Sequence, residues 1–158
     1  MAKRIDTVEV AKIVRAMLKR TFPEVKFSVR SSRYSGGSSI DVNWTDGPMT
    51  SEVKQVVSYF DGAEFDGMID LKSYKGDKEW RGETVRFGVD FIQPHRDYSR
   101  GMLEDAVAKV AKDFGIETPE VRDGYSGAYI HDPVGAFVGN SSQRIGDLVY
   151  RLLESGRY

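Results

Sequence analysis

Two runs of alternating side chains on either side of a glycine turn constrain this chain most. Val25, Phe27 and Val29 alternate with Lys26, Ser28 and Arg30, and Ile40, Val42 and Trp44 alternate with Asp41, Asn43 and Thr45. A period of two is that of a strand with one buried face. Tyr34-Ser35-Gly36-Gly37 lies between the runs, so an antiparallel hairpin is expected. Its apolar face needs a cover. Val8 or Val10, Ile13, Val14, Met17 and Leu18 recur at helical spacing, and Asp6 with Glu9 makes a capping-box signature. A helix is therefore expected from about Thr7 to Arg20, ending at Phe22-Pro23 because the residue before proline is pushed out of the helical region.

The rest of the chain repeats these two vocabularies. Asp46-Gly47-Pro48 marks a turn, and Thr50 caps a short helix with Val53, Val56, Val57 and Phe60 on one face. Asp61-Gly62 and Asp66-Gly67 read as structural turns, Met68 to Tyr74 as a third strand, and Lys75 to Gly82 as a charged connection. Thr84 to Phe91 reads as a fourth strand, with Val85, Phe87, Val89 and Phe91 inward and Gln93 to Asp97 as its exit. Ser99 caps a helix carrying Leu103, Ala106, Val107, Val110, Ala111 and Phe114 and stopping at Gly115. A short strand follows at Ala128 to His131, and a last helix carries Ile145, Leu148, Val149, Leu152 and Leu153.

This order predicts an α+β fold: one domain over residues 1–158, with a mainly antiparallel sheet of about four to six strands flanked by about four helices. Helix, Pro-Glu-Val, Tyr-Ser-Gly, strand and helix occur over residues 7–60 and again over 101–154. A degenerate α-β-β-α repeat would account for both; otherwise residues 117–158 form a terminal extension.

The chain has 158 residues and no cysteine. Thiolate zinc sites and cysteine nucleophiles are excluded, and a reducing cytoplasm suits the composition. Apolar runs are far too short to span a membrane, and MAKRIDTVEVAK lacks the apolar core of a secretory signal, so a cytoplasmic protein is expected. A formal net charge of −1 argues against strong indiscriminate binding to nucleic acid. The charge is nevertheless polarised along the chain, at +6 for residues 1–35, −5 for 36–80 and −2 for 81–158.

Candidate binding residues follow from that polarity. Lys12, Arg15 and Lys19 fall at three- and four-residue spacing on the polar side of the first helix. Arg30, Arg33 and Tyr34 sit near the hairpin tip, where arginines beside an aromatic ring can hold phosphate and stack a base. Solvated faces are the ordinary explanation for both groups. Trp44 falls on the core face, and His95 reads as a surface histidine. Asp70-Leu71-Lys72, with Asp46, has the acid-x-lysine spacing of magnesium-dependent nucleases, a pattern common by chance. No catalytic residue, metal site or cofactor is expected.

FSVRSSRYSGGSSIDVNWTDGP, a short helix and FDGMID, with an echo at FGVDFIQPHRDYS, resemble the large polyvalent protein associated domain numbered twenty-nine, most densely over residues 27–99. The resemblance implies a phage or conjugative element and a protein that enters a new host with the incoming DNA. It brings no catalytic motif. The leading expectation is a non-enzymatic accessory protein that binds and neutralises a host defence factor of the restriction or CRISPR type. Asp41, Asp46, Asp61, Glu64, Asp66 and Asp70 would present carboxylates to that host protein or protein–nucleic-acid complex. The alternatives are nucleic-acid binding through Lys12, Arg15, Lys19, Arg30, Arg33 and Tyr34, and a metal-dependent nuclease using Asp46, Asp70 and Lys72.

Overall fold

The computed structural model describes residues 1–66, 71–125, 127–131 and 144–155, without the side chains of residues 64–66, 71 and 73. The elements in order are β1 (Lys3–Asp6), α1 (Thr7–Thr21), β2 (Ser28–Tyr34), β3 (Gly37–Thr45), α2 (Thr50–Val57), a 3-10 turn (Ser58–Phe60), β4 (Ala63–Asp66), β5 (Leu71–Tyr74), β6 (Lys78–Trp80), β7 (Glu83–Gly88), β8 (Phe91–Asp97), α3 (Arg100–Phe114), β9 (Glu120–Gly124), β10 (Gly127–His131) and α4 (Ile145–Glu154). The class is α+β, with four helices, as expected. Among the described residues the strands form ladders of two or three, β1-β7-β6, β2-β3-β8, β4-β5 and β9-β10, rather than one wider sheet.

The chain divides into two compact units, residues 1–44 with 50–95, and residues 45–49 with 96–158. In the first, Val10, Val14 and Leu18 of α1 pack with Val29, Ile40, Val42 and Trp44 of the hairpin, Val53 and Val57 of α2, and Val85, Phe87 and Ile92. Asp6 caps α1 as its spacing predicts, accepting the Glu9 N–H at 2.9 Å. The hairpin register pairs Val29 with Val42 and closes with Tyr34 opposite Gly37. Gly36 takes φ +91° at this tight turn, a conformation that L side chains rarely adopt. Trp44 is 2% exposed and tilts against Phe27, so it is core.

The fourth strand differs from its expected course. Alternation suggested one strand from Thr84 to Phe91, yet the chain breaks after Gly88 and resumes as β8, which contains Pro94 and His95. Hydrogen bonds to the break explain it. The Gly88 carbonyl accepts the Thr7 hydroxyl at 3.0 Å and the Ser38 hydroxyl at 3.1 Å. Gly62 N–H donates to Val89 O, Ala63 N–H to Asp90 O, and Asp90 N–H to Ser38 O. A straight strand would leave those partners unmatched.

Three further elements lie where no strand was expected. Ala63–Asp66, read as the link between two Asp-Gly turns, forms β4, antiparallel to β5. Lys75 to Gly82 contains β6, joined to β7 by Arg81 and Gly82, both at positive φ, which is the conformation a two-residue hairpin turn requires. Lys3–Asp6 forms β1, parallel to β7, with Ile5 beside Phe87. The third strand is seen as Leu71–Tyr74, and residues 67–70 lie outside the described residues.

In the second unit, Leu103, Ala106, Val107 and Val110 of α3 pack with Val121 of β9 and with Ile145, Val149 and Leu153 of α4. Ser99 caps α3 and Gly115 ends it in the left-handed conformation, both as expected. Arg96, whose side chain is only 4% exposed, donates to the carbonyls of Asp46, Gly47 and Leu153 and pairs with Glu154. Tyr98 also donates to Glu154, and burial, reinforced by that carboxylate, pushes its phenol well above its ordinary range.

Candidate ligand-binding cleft

A cleft of about 910 Å³ opens in the first unit. Arg4 and Asp6 come to it from β1, Thr7 from the start of α1, Arg33, Tyr34 and Gly36 to Ser38 from the hairpin, Gly62 from the link before β4, Tyr74 to Gly76 from the end of β5, and Arg86 to Gly88 with Asp90 from the β7–β8 break. Its shape depends on absent side chains. A Cβ on Gly37 would meet Asp90 Oδ2 at 2.4 Å, and one on Gly62 would meet the carbonyl of Val89 at 2.2 Å.

Asp90 and Lys72 brace one wall. Asp90, 9% exposed, accepts the Ser38 N–H at 2.9 Å and the Lys72 ammonium at 2.7 Å. Lys72 also reaches the Gly36 carbonyl at 3.2 Å and lies over the ring of Tyr74 at 5.1 Å. Its hydrogen bond to Asp90 raises the lysine above its ordinary value, which holds it charged at neutral pH. Three segments distant in sequence, the hairpin turn, β5 and the β7–β8 break, thereby share one bonded group.

Another part of the lining is basic. The parallel register places Arg4 directly beside Arg86. Like charges in adjacent register repel. Asp77 offsets Arg86 at 2.7 Å, whereas Arg4 has no ion pair among the described residues. Arg33 lies 4.0 Å from Asp6, whose carboxyl is lowered by the Glu9 N–H and, less strongly, by Arg33 and Lys12. Tyr34 and Tyr74 remain 51% and 71% exposed.

Of the residues singled out from the sequence, Arg33 and Tyr34 line this cleft, and Lys12 is close enough to Asp6 to influence its charge. Lys12 itself pairs with Glu9 at 2.7 Å. Arg15 donates to the Val29 carbonyl and so ties α1 to β2. Lys19 is exposed near the end of α1, and Arg30 stands across the hairpin from Asp41. Asp41 faces His95 at 3.7 Å, Asp46 accepts the Ser99 N–H at 2.8 Å, and Asp61 accepts the Ile92 N–H at 2.7 Å. The Asp66 side chain and Asp70 lie outside the described residues. Among the described residues, no three acidic or histidine side chains gather as a metal site.

Arg4, Arg86, Lys75, Tyr74 and Asp90 were not singled out. Arg86 lies between inward Val85 and Phe87, so its outward direction was readable. Its meeting with Arg4 was not, because a parallel pairing across eighty residues leaves no local pattern.

Among the described residues no helix is long and apolar enough to cross a membrane. No curated protein and no solved structure matches the chain. A family model, large polyvalent protein associated domain 29, matches residues 5–99, which runs from the second half of β1 through β8 and takes in every residue lining the cleft except Arg4. That is more than half of the chain, which therefore belongs to the large polyvalent protein associated domain 29 family.

Proposed function

We propose that this protein is a non-enzymatic accessory protein of a phage or other mobile element that binds nucleic acid through the cleft of its first unit. The observation that carries the reading is the convergence of Arg4, Arg33, Lys75 and Arg86 with two exposed tyrosines around one cavity. The carboxylates there are already engaged, Asp6 as a helix cap and Asp90 with Lys72. Guanidinium groups match phosphate geometry, and aromatic rings accept base faces without regard to sequence. A family of DNA-borne elements supplies a fitting setting.

Docking on a host defence protein through an acidic face has weaker support. Asp46 and Asp61 hold backbone N–H groups, and Asp41 faces His95. The nuclease reading has less, since Lys72 is held by Asp90.

Fluorescence anisotropy with labelled DNA tests the proposal. Binding is expected near about 50 mM salt, with log K falling against log salt at a slope of roughly −2 to −4 for about four phosphate contacts. Arg33→Glu and Arg86→Glu should each weaken binding and flatten the slope by about one. No binding at low salt, or a slope untouched by both reversals, overturns the reading.

A further inference from the structure

Resting on that reading of the cleft, we infer that its ligand is an unpaired nucleotide, with phosphate on the Arg4–Arg86 wall and the base against Tyr34 and Tyr74, so that the protein selects single strands over duplex. The tyrosines lead to this. The cleft's other aromatic residue, Phe87, is buried in a cluster with Tyr59, Phe60 and Trp80. Tyr34 and Tyr74 instead leave much of their rings in water at the edge of a basic cavity. In a duplex the base faces are stacked on one another, and only an unpaired base offers one to a protein ring.

Each ring borders the braced wall. Tyr34 lies close to Gly37, where an added Cβ would meet its ring at 3.1 Å. Tyr74 lies beside the Lys72 ammonium, itself bonded to Asp90 and the Gly36 carbonyl.

Size and floor agree. About 910 Å³ falls within the range of roughly 300–1,000 Å³ typical of small-ligand sites, room for one or two nucleotides rather than the width of a duplex. Gly36 and Gly76, where an added Cβ would meet nothing within 4 Å, leave bare backbone at the cleft where a flat base and its sugar would lie. The adjacent arginines complete the argument. Arg86 is already paired with Asp77, and Arg4 beside it, with no ion pair among the described residues, is the cation left for a phosphate on this wall.

The test titrates the full chain with labelled oligothymidylate, with a duplex of equal length, and with free thymidine monophosphate as competitor. The strand is expected to bind at least about tenfold tighter than the duplex. Tyr34→Ala and Tyr74→Ala should each lose roughly five- to tenfold on the strand with the salt slope unchanged, since stacking releases no counterions. Gly76→Leu adds a bulky side chain at a cleft-lining position where a Cβ meets nothing within 4 Å, so the fold is left intact; it should weaken strand binding.

Equal, salt-dependent binding of strand and duplex, indifferent to both tyrosines, overturns this inference and leaves nucleic-acid binding standing. Binding of the mononucleotide without either polymer overturns the nucleic-acid reading and identifies the unpaired nucleotide as a free ligand. No binding of any of the three overturns both.

Discussion

Among the described glycines, Gly62 has the least room. An added Cβ would meet two backbone carbonyls, Phe87 O at 2.7 Å and Val89 O at 2.2 Å, and backbone cannot rotate away as a side chain can. Gly62→Ala is expected to cost about 2–4 kcal/mol, read from urea unfolding of the chain. Its neighbour Asp61 makes a subtler prediction. Burial raises its carboxyl above the ordinary 3.8, against the opposing pull of the Ile92 N–H and of Lys75, Lys78 and Lys54. The folded state therefore binds this proton more readily than the unfolded one. That difference lowers stability as pH rises from 3.8 through the folded pKa, and the penalty is full above it. Asp61→Asn keeps an oxygen for Ile92 N–H without the buried charge, so it should be neutral or stabilising at neutral pH and should flatten that part of the urea-midpoint profile. Asp61→Ala, which leaves the N–H without its acceptor, should cost about 1–2 kcal/mol. In the sequence Asp61-Gly62 reads as a turn, whereas in the structure the pair is an irregular, extended link from the 3-10 turn into β4. What it touches belongs to residues about thirty positions away.

Helices and hairpins are where local chemistry decides most. α1 begins behind Asp6, α3 begins behind Ser99 and ends at Gly115, and each of these caps is visible as a residue type at a fixed offset. Gly115 sits at φ +65° with open space around it, so Gly115→Ala tests the backbone conformation alone. It should destabilise by about 1 kcal/mol, seen as a lowered thermal midpoint for the α3 signals. Strands were less readable. β1 is four residues long, and KRID carries no alternation that distinguishes it from a charged leader. β6 is three residues inside a charged run, kept as a strand by the Arg81-Gly82 turn and its pairing to β7. The break between β7 and β8 was hidden because Val85, Phe87, Val89 and Phe91 keep period two straight across it.

Across the whole molecule, a net charge of −1 conceals a basic cleft. Arg4 and Arg33 come from the strongly basic first block, Lys75 from the acidic block and Arg86 from the last, so the lengthwise split of charge is not the split the fold makes. Arg4→Glu separates stability from binding here. It replaces a repulsion beside Arg86 by an attraction, so it should raise the stability of the free protein by about 0.2–1 kcal/mol in urea while lowering affinity for single strands. If both fell together, Arg4 would be a structural residue rather than a ligand contact. Local sequence chemistry fixes the α+β class, four helices with the caps of α1 and α3, the β2–β3 hairpin and two of the cleft's residues, Arg33 and Tyr34. All of these follow from periodicity and turn chemistry that act within a dozen residues. Long-range folding is what stands Arg4 beside Arg86, sets Lys72 on Asp90, and turns Asp46 and Asp61 to backbone amides. Those pairings join segments far apart in the chain, and what selects them is the joint burial of side chains and the need to satisfy every buried polar group, neither of which leaves a period in the sequence.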